Sequence, residues 1–372
     1  MTTVRIASAR IDVFPLGQGE RRGLALLLTD DEGRIGLGEA TPLPGFSPDS
    51  AAACHRALLD AAAALAPVDL DLAFDAPDPA EPAAHPASPA AAVARALAPL
   101  DAALRGLPAA RFALETALLD LAGQRLGLPL AACLGGPRPY NEVPVNGLLS
   151  ASDPLPSLID GVRALAARGV RCVKVKLRAR DDAGFGRELD TLAALRRELD
   201  AAGGMELRLD ANAAWTEDLA RRRLAALAPF RPRFVEQPVE PDRLDHLGPC
   251  AVPWAADESL GVPGLAERLL DAGGCAAFIL KPAALGLLRA HELARRAQAR
   301  GVDVVVTHLF DGPIALAAAC ELALSLPRAP LASGLDAHAG LALWPLLSVL
   351  QRRAASIAST GRAGLGLGPW MA

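Results

Sequence analysis

The chain opens on apolar runs broken by turn residues. "VRIASARIDVFPL" and "GLALLLTD" precede the turn "DDEG", and "RIGLGEA" follows it. The pattern predicts a three-stranded antiparallel meander. Pro, Gly and Ser then crowd "TPLPGFSPDS", a loop that offers Ser47 or Ser50 as a helix N-cap. The Ala/Pro-rich segment near 75–91 reads as a surface loop between helices and carries no readable function. From Arg111, "RFALETALLDLAGQRLG" spaces its apolar residues as a helix does, stops at Gly127 and meets Pro129.

Beyond Tyr140 the texture changes. Short apolar β-type runs alternate with helical stretches: "EVPVNGLLS", "CVKVKL", "ELRLDAN", "RFVEQP", "VPWAADES", "AAFILKP", "VDVVVTH" and "PLASGLD". This alternation predicts βα units and a parallel sheet. Eight such runs are the number that closes a (β/α)₈ barrel. An open doubly wound sheet is the alternative, but no Gly-rich phosphate fingerprint follows the first strand. The late "GLGLGPW" matches that fingerprint by letters only, with no helix after it.

Composition narrows the function classes. With 52% hydrophobic and 22% charged residues the chain is globular, and a net charge of −4 gives no electrostatic case for nucleic acid or an anionic membrane. No basic start followed by an apolar run suggests a signal peptide, and no long uncharged apolar stretch suggests a membrane span. Six scattered cysteines without a C-x-x-C pair predict reduced, mostly buried thiols in a cytoplasmic protein. No histidine spacing suits zinc.

The chemistry gathers at the ends of the runs, which in a barrel form the active-site mouth. The second run ends with Lys174 and Lys176, the third with Asp210 and Asn212, and the fourth with Glu236. The fifth ends with Asp257 and Glu258 and the sixth with Lys281. Each residue alone reads as an ordinary turn or cap; in register on consecutive strands they do not. Lys174, Lys176 and Lys281 are also the only lysines, all other basic side chains being arginine. Alternation along the strand turns Val173 and Val175 to the helices and both lysines into the barrel. Two buried ammoniums need partners or lowered pKa values. Asp210, Glu236 and Asp257 would repel one another without a hard divalent cation such as Mg²⁺ among them. Lys176 and Lys281, on strands two and six of eight, face each other across the mouth. That suits removal of a proton α to a carboxylate. Lys174, the cation and partial burial are expected to lower the Lys176 amine to about 7–8, where it can act as a base; arginine cannot.

The set "VKVK", "DAN", "VEQP", "DES" and "LKP", in this order, resembles the enolase superfamily in its muconate-lactonizing-enzyme-like subgroup. The resemblance covers nearly the whole chain. It implies a modified TIM barrel, (β/α)₇β, with an N-terminal α+β capping domain. Residues 1–135 would be the cap, completed by the C-terminal tail from about 346 to 372, and 136–345 the barrel. It makes Lys176 the acid/base, Lys174 its pKa-lowering neighbour and Lys281 the opposing lysine. Asp210, Glu236 and Asp257 become ligands of Mg²⁺, for which Mn²⁺ can substitute. "GLGEATPLPGFS", "VPVNGLL", "THLFDGPIALAAA" and "SGLDAHAGL" further resemble o-succinylbenzoate synthases of menaquinone biosynthesis. The implied reaction is dehydration of 2-succinyl-6-hydroxy-2,4-cyclohexadiene-1-carboxylate to 2-succinylbenzoate, with Lys281 able to make a cation–π contact with the substrate ring.

An N-acylamino acid racemase or dipeptide epimerase would use the same six residues, with both lysines as bases. A dipeptide epimerase is expected to carry a D-x-D pair near the eighth strand, where this chain has Asp336 alone. Muconate cycloisomerase is a third option, and a non-catalytic barrel a fourth. Specificity is expected from the cap loop 17–24, preceded by Leu16, with Arg21 or Arg22 meeting the succinyl carboxylate unless both are simply solvated. Asn212, Thr307 and Ser333 are further candidate substrate contacts.

Overall fold

A computed structural model of the chain describes residues 3–16, 21–65, 69–71, 88–135, 140–338, 340–341 and 351–368. Residues 17–20 of the cap loop and most of the Ala/Pro-rich segment lie outside these residues.

The N-terminal meander consists of β1 (Thr3–Pro15), β2 (Arg22–Asp30) and β3 (Ile35–Ala40), paired antiparallel. Its expected three strands are four: β4 (Asp69–Asp71) pairs with the start of β1, giving the order β3-β2-β1-β4. Three residues are too short a run to announce a strand by pattern. Three helices follow the same part of the chain: α1 (Ala51–Leu65), α2 (Pro89–Leu97) and α3 (Pro108–Leu126). Ser50, not Ser47, meets the start of α1: its hydroxyl accepts from Ala53 N, while Ser47 Oγ accepts from Leu43 N within the loop. α3 ends as expected, with Gly127 left-handed at φ 68°. Gly36 and Gly38 let α3 lie against β3, since a Cβ at Gly38 would stand 2.0 Å from Ala113 O. Phe112, Leu114, Leu118 and Leu121 are buried on α3, each contributing roughly 1.5–3 kcal/mol.

The expected first barrel run splits in two. β5 (Glu142–Pro144) leaves the barrel to pair with β14 (Ser356–Ala358), itself paired with β13 (Gln351–Arg352). β6 (Gly147–Ser150) begins the barrel. It is followed by β7 (Cys172–Lys176), β8 (Glu206–Asp210), β9 (Val235–Glu236), β10 (Trp254–Ala256), β11 (Cys275–Leu280) and β12 (Asp303–Val306). These seven strands form one parallel sheet in chain order. The eighth run forms no full strand. It closes the ring through single parallel bridges, Thr307 to Gly334 and Val145 to Ser333. The architecture is thus a TIM-barrel-like (β/α) fold with an N-terminal α+β cap.

The intervening helices are α4 (Leu130–Cys133), α5 (Leu155–Ala167), α6 (Asp182–Ala201), α7 (Glu217–Leu227), α8 (Leu265–Ala272), α9 (Pro282–Leu285), α10 (Leu287–Ala299) and α11 (Pro313–Leu324). The tail returns to the cap, where Leu365 N donates to Asp120 Oδ1 of α3 at 2.7 Å. Among the described residues no cysteine is in a disulfide and five of the six are buried. No described helix is long and apolar enough to cross a membrane.

Candidate active site

On β7, Val173 and Val175 are fully buried toward the helices while Lys174 and Lys176 are half-buried inside the ring. The strand register carries the site around the mouth: Lys176 stands beside Asp210, and Asp210 beside Glu236. Ala255 pairs with Glu236, so Asp257 lies two residues further up the next strand. The two lysines of β7 have separate fates. Lys174 Nζ lies 2.8 Å from Asp210 Oδ2 and 2.5 Å from Glu236 Oε2. Lys281 Nζ lies 2.6 Å from Asp257 Oδ2. Lys176 has no carboxylate partner among the described residues.

Electrostatics follow from these contacts. Burial opposes the Lys174 charge, yet Asp210, Glu236 and Asp257 hold its amine above the ordinary lysine range. Burial lowers the Lys176 amine, helped by Lys174, Lys281 and Arg178 and resisted by Asp210. The lowering matches expectation, but desolvation leads and the neighbouring lysine is secondary, since Lys174 is already paired. Burial tends to raise Asp210, but Lys174 overrides it and the carboxyl lies low. Glu236 is pushed up to about 7 by burial, with Asp210 and Asp257 adding to the push against Lys174. Glu258 is likewise raised to about 7 by burial and Asp257.

The three carboxylates are strung along adjacent strands; among the described residues no His, Cys, Asp or Glu cluster is gathered as a closed cage. The donor set nevertheless fits a hard divalent cation. It is all oxygen and rich in negative charge, and two further buried acceptors, Asn212 Oδ1 and Glu258 Oε2, find no donor. Asn212 is turned to Asp210 instead of outward: its backbone N–H and side-chain amide donate to the Asp210 carboxylate at 2.9 and 3.2 Å.

Two residues at the mouth escaped the pattern of charges. Gln237 is fully buried at φ 38°. Its amide oxygen accepts from the Asp257 and Ser259 N–H groups, and its nitrogen donates to Val239 O and Ser259 Oγ. It rivets the strand end bearing Glu236 to the one bearing Asp257. Its place inside "VEQP" was the available signal. Phe46, in the cap loop after β3, sets its ring centroid 4.0 Å from Lys281 Nζ. The expected cation–π partner of Lys281 was a substrate ring; here a side chain of the cap faces it, and nothing in a Pro/Gly loop announces that.

Several expected substrate contacts have other work. Arg21 donates to Thr41 O, Pro42 O, Leu309 O and Phe310 O, with Asp311 3.6 Å away. Its guanidinium is saturated by the seam between cap and barrel, which replaces the expected contact with a succinyl carboxylate. Arg22 is exposed and donates to Arg21 O. Thr307 Oγ1 turns onto Gly334 O and His308 O. Ser333 is fully buried, accepting from Val306 N and donating to Leu331 O, so it closes the barrel instead of meeting a ligand. His308 and His338 each accept a backbone N–H at Nδ1 and meet a carbonyl at Nε2. Burial first, then His308, holds His338 down at about 4, so the ring is neutral and structural. Asp336 is held two-pronged by Arg168, both contacts being 2.9 Å.

Comparison with known proteins agrees with this geometry. The family model for "Enolase C-terminal domain-like" proteins matches residues 158–369. The chain belongs to the enolase superfamily. Similarity to an o-succinylbenzoate synthase of Thermobifida fusca, 34% identical over 59% of this chain and 68% of that one, places it in the muconate-lactonizing-enzyme-like subgroup. A D-Ala-D/L-Ala epimerase of Cytophaga hutchinsonii is 32% identical over 57% of each chain, so the match spans little more than half of that relative. Among solved structures, a dipeptide epimerase from Methylococcus capsulatus complexed with Mg ion superposes with a TM-score of 0.78 at 28% identity, over 98% of this chain and 99% of that one. The named relatives catalyse more than one reaction.

Proposed function

We propose that this chain is an o-succinylbenzoate synthase, a hydro-lyase that dehydrates 2-succinyl-6-hydroxy-2,4-cyclohexadiene-1-carboxylate to 2-succinylbenzoate. The observation that carries the reading is Lys176: a mouth amine lowered by burial and, among the described residues, without a carboxylate partner. Such a group can give up its proton and take another.

Asp210, Glu236 and Asp257 would hold Mg²⁺. A bound Mg²⁺ supplies positive charge at the substrate carboxylate, where negative charge develops as the α-proton leaves. Lys176 takes that proton on one face and returns it to the departing hydroxyl on the same face, so that water leaves and the ring becomes aromatic. Lys281, held by Asp257 and Phe46 on the opposite side, stabilises the developing anion. Lys174, paired with two acids, is a fixed cation that helps to lower the Lys176 amine. The synthase relative supports dehydration, and the capture of Asp336 by Arg168 argues against its use as a clasp for a dipeptide ammonium.

A second reading keeps the same site and lets Lys281 act as a second base in 1,1-proton transfer. The epimerase relative favours it. Purified protein with Mg²⁺ should be assayed on the cyclohexadiene substrate, on N-succinylamino acids and on L-Ala-D/L-Glu. Efficient dehydration is expected; epimerisation without dehydration overturns the primary reading.

A further inference from the structure

The loop after β7 carries two arginines, Arg178 and Arg180, directly beyond Lys176. Both are exposed, and among the described residues neither guanidinium meets an acid, a carbonyl or a ring. Some exposed arginines are answered by acids, as Arg163 is by Glu198 and Arg233 by Asp303. Others, such as Arg187 and Arg222, have no acid partner among the described residues. What sets this pair apart is its place at the mouth. The loop itself is built from beneath. Glu188 of α6, buried, accepts the N–H groups of Arg178 and Ala179 at 2.5 and 2.9 Å. Arg223 of α7, also buried, donates to Ala179 O and Asp181 O and stacks 4.5 Å from the Phe185 ring centroid. Folding therefore secures the backbone here without using either exposed guanidinium.

The nearby acids are committed elsewhere. Asp181 Oδ1 accepts Gly184 N at the start of α6, and Asp182 Oδ1 lies 3.5 Å from Arg223. The two arginines line a small cleft with Asn212 and Trp215, on the flank of the mouth where Asp210 stands. Arg178 is close enough that its charge acts on Lys176.

We propose that Arg178 and Arg180 form an anion subsite at the mouth. It takes a second carboxylate of the substrate, remote from the carboxylate next to the reacting carbon. Substrates are thereby dianions with an acidic arm, and the planar guanidinium forks suit a terminal carboxylate. The proposal rests on reading the mouth as a site of proton abstraction α to a carboxylate.

Two probes separate the subsite from that reading: N-succinyl-L-phenylalanine and N-butanoyl-L-phenylalanine, which differ essentially in the terminal carboxylate. Their dissociation constants are measured by calorimetry on the full chain with Mg²⁺ at low salt. The wild type is expected to prefer the succinyl probe about tenfold or more, a preference that shrinks as salt is added. The Arg178→Gln, Arg180→Gln double variant is expected to lose that preference, with affinity for the butanoyl probe shifting less than about twofold. No preference in the wild type, binding of neither probe, or a preference that survives in the double variant overturns the subsite. Should the wild type prefer the succinyl probe but convert none of the candidate substrates, the functional reading falls and the subsite stands. Should it dehydrate its substrate while the double variant keeps an unchanged KM, the function stands and the subsite falls.

Discussion

Two groups of buried carboxylates set the mouth of the barrel apart from the seam between barrel and cap. In the seam, each acid is completed by backbone N–H groups from a distant element. Glu39 of β3 accepts Gly312, Ile314 and Ala315 at the start of α11. Glu115 accepts Leu288 N at the start of α10, and Glu321 accepts Ala131 N at the start of α4. These helix starts need acceptors, and the acids supply them. In the mouth, Glu236 and Asp257 are answered by lysine side chains, as Asp210 is in large part. Backbone donors are committed when the chain folds, whereas side-chain ammoniums leave room for a cation or substrate. Burial alone does not distinguish a structural acid from a reactive one; the nature of its partner does.

The comparison breaks most sharply at Lys176. Lys176→Ala should lower kcat about 10²–10⁴-fold while Mg²⁺ affinity, read by calorimetry, and the melting temperature stay close to wild type. Appreciable residual turnover would remove Lys176 from its role. Next come two matched substitutions. Glu236→Gln should weaken Mg²⁺ binding by at least about tenfold and change melting without metal less than Glu39→Gln does, because an amide oxygen can still accept from Lys174. Glu39→Gln should do the opposite, costing about 1–3 kcal/mol of stability as its amide N–H₂ confronts the α11 donors, with Mg²⁺ binding unchanged.

Acidity sharpens the contrast further. Burial, then Asp311, pushes the Glu39 carboxyl from an ordinary 4.5 up to about 8, against the donors of Gly312 and Ala315 and the Thr41 side chain. The folded state therefore holds that proton more tightly than the unfolded one. Its stabilisation is full below the ordinary value and fades as pH rises through about 8. Melting temperature should decline between pH 5 and 9, and less steeply in Glu39→Gln; identical slopes would free Glu39 of this role. The smallest effect is expected at Ser333→Ala, which loses one barrel-closing hydroxyl worth about 1 kcal/mol and should leave KM as it was.

The mouth was legible because a barrel strand converts a two-residue period into a direction. Once "VKVK" is a strand, both lysines face inward, and the strand order sets Asp210, Glu236 and Asp257 side by side. The seam was not legible. Glu39 lies within an ordinary strand run and its partners are some 273 to 276 residues away, a distance that no local period encodes. Arg21 misled for the same reason: an arginine on a turn reads as solvent-facing until the carbonyls of Leu309 and Phe310 arrive from the far end of the chain. Phe46 and Gln237 are uncharged, so the pattern of charges at the strand ends does not include them.

What the sequence determined by itself was the class of fold and the inventory of chemistry: alternating βα texture, three lysines, and acids at successive strand ends. These follow from local rules of periodicity and residue type. The family resemblance already separates the roles expected of Lys176 and Lys174; the tertiary structure alone shows which ammonium is paired and which is not. Lys174 and Lys176 share a strand and a face, and no rule of periodicity or residue type separates them. Only the closure of the ring puts Asp210 and Glu236 within 2.5–2.8 Å of one ammonium and leaves the other to the desolvation that lowers its proton affinity.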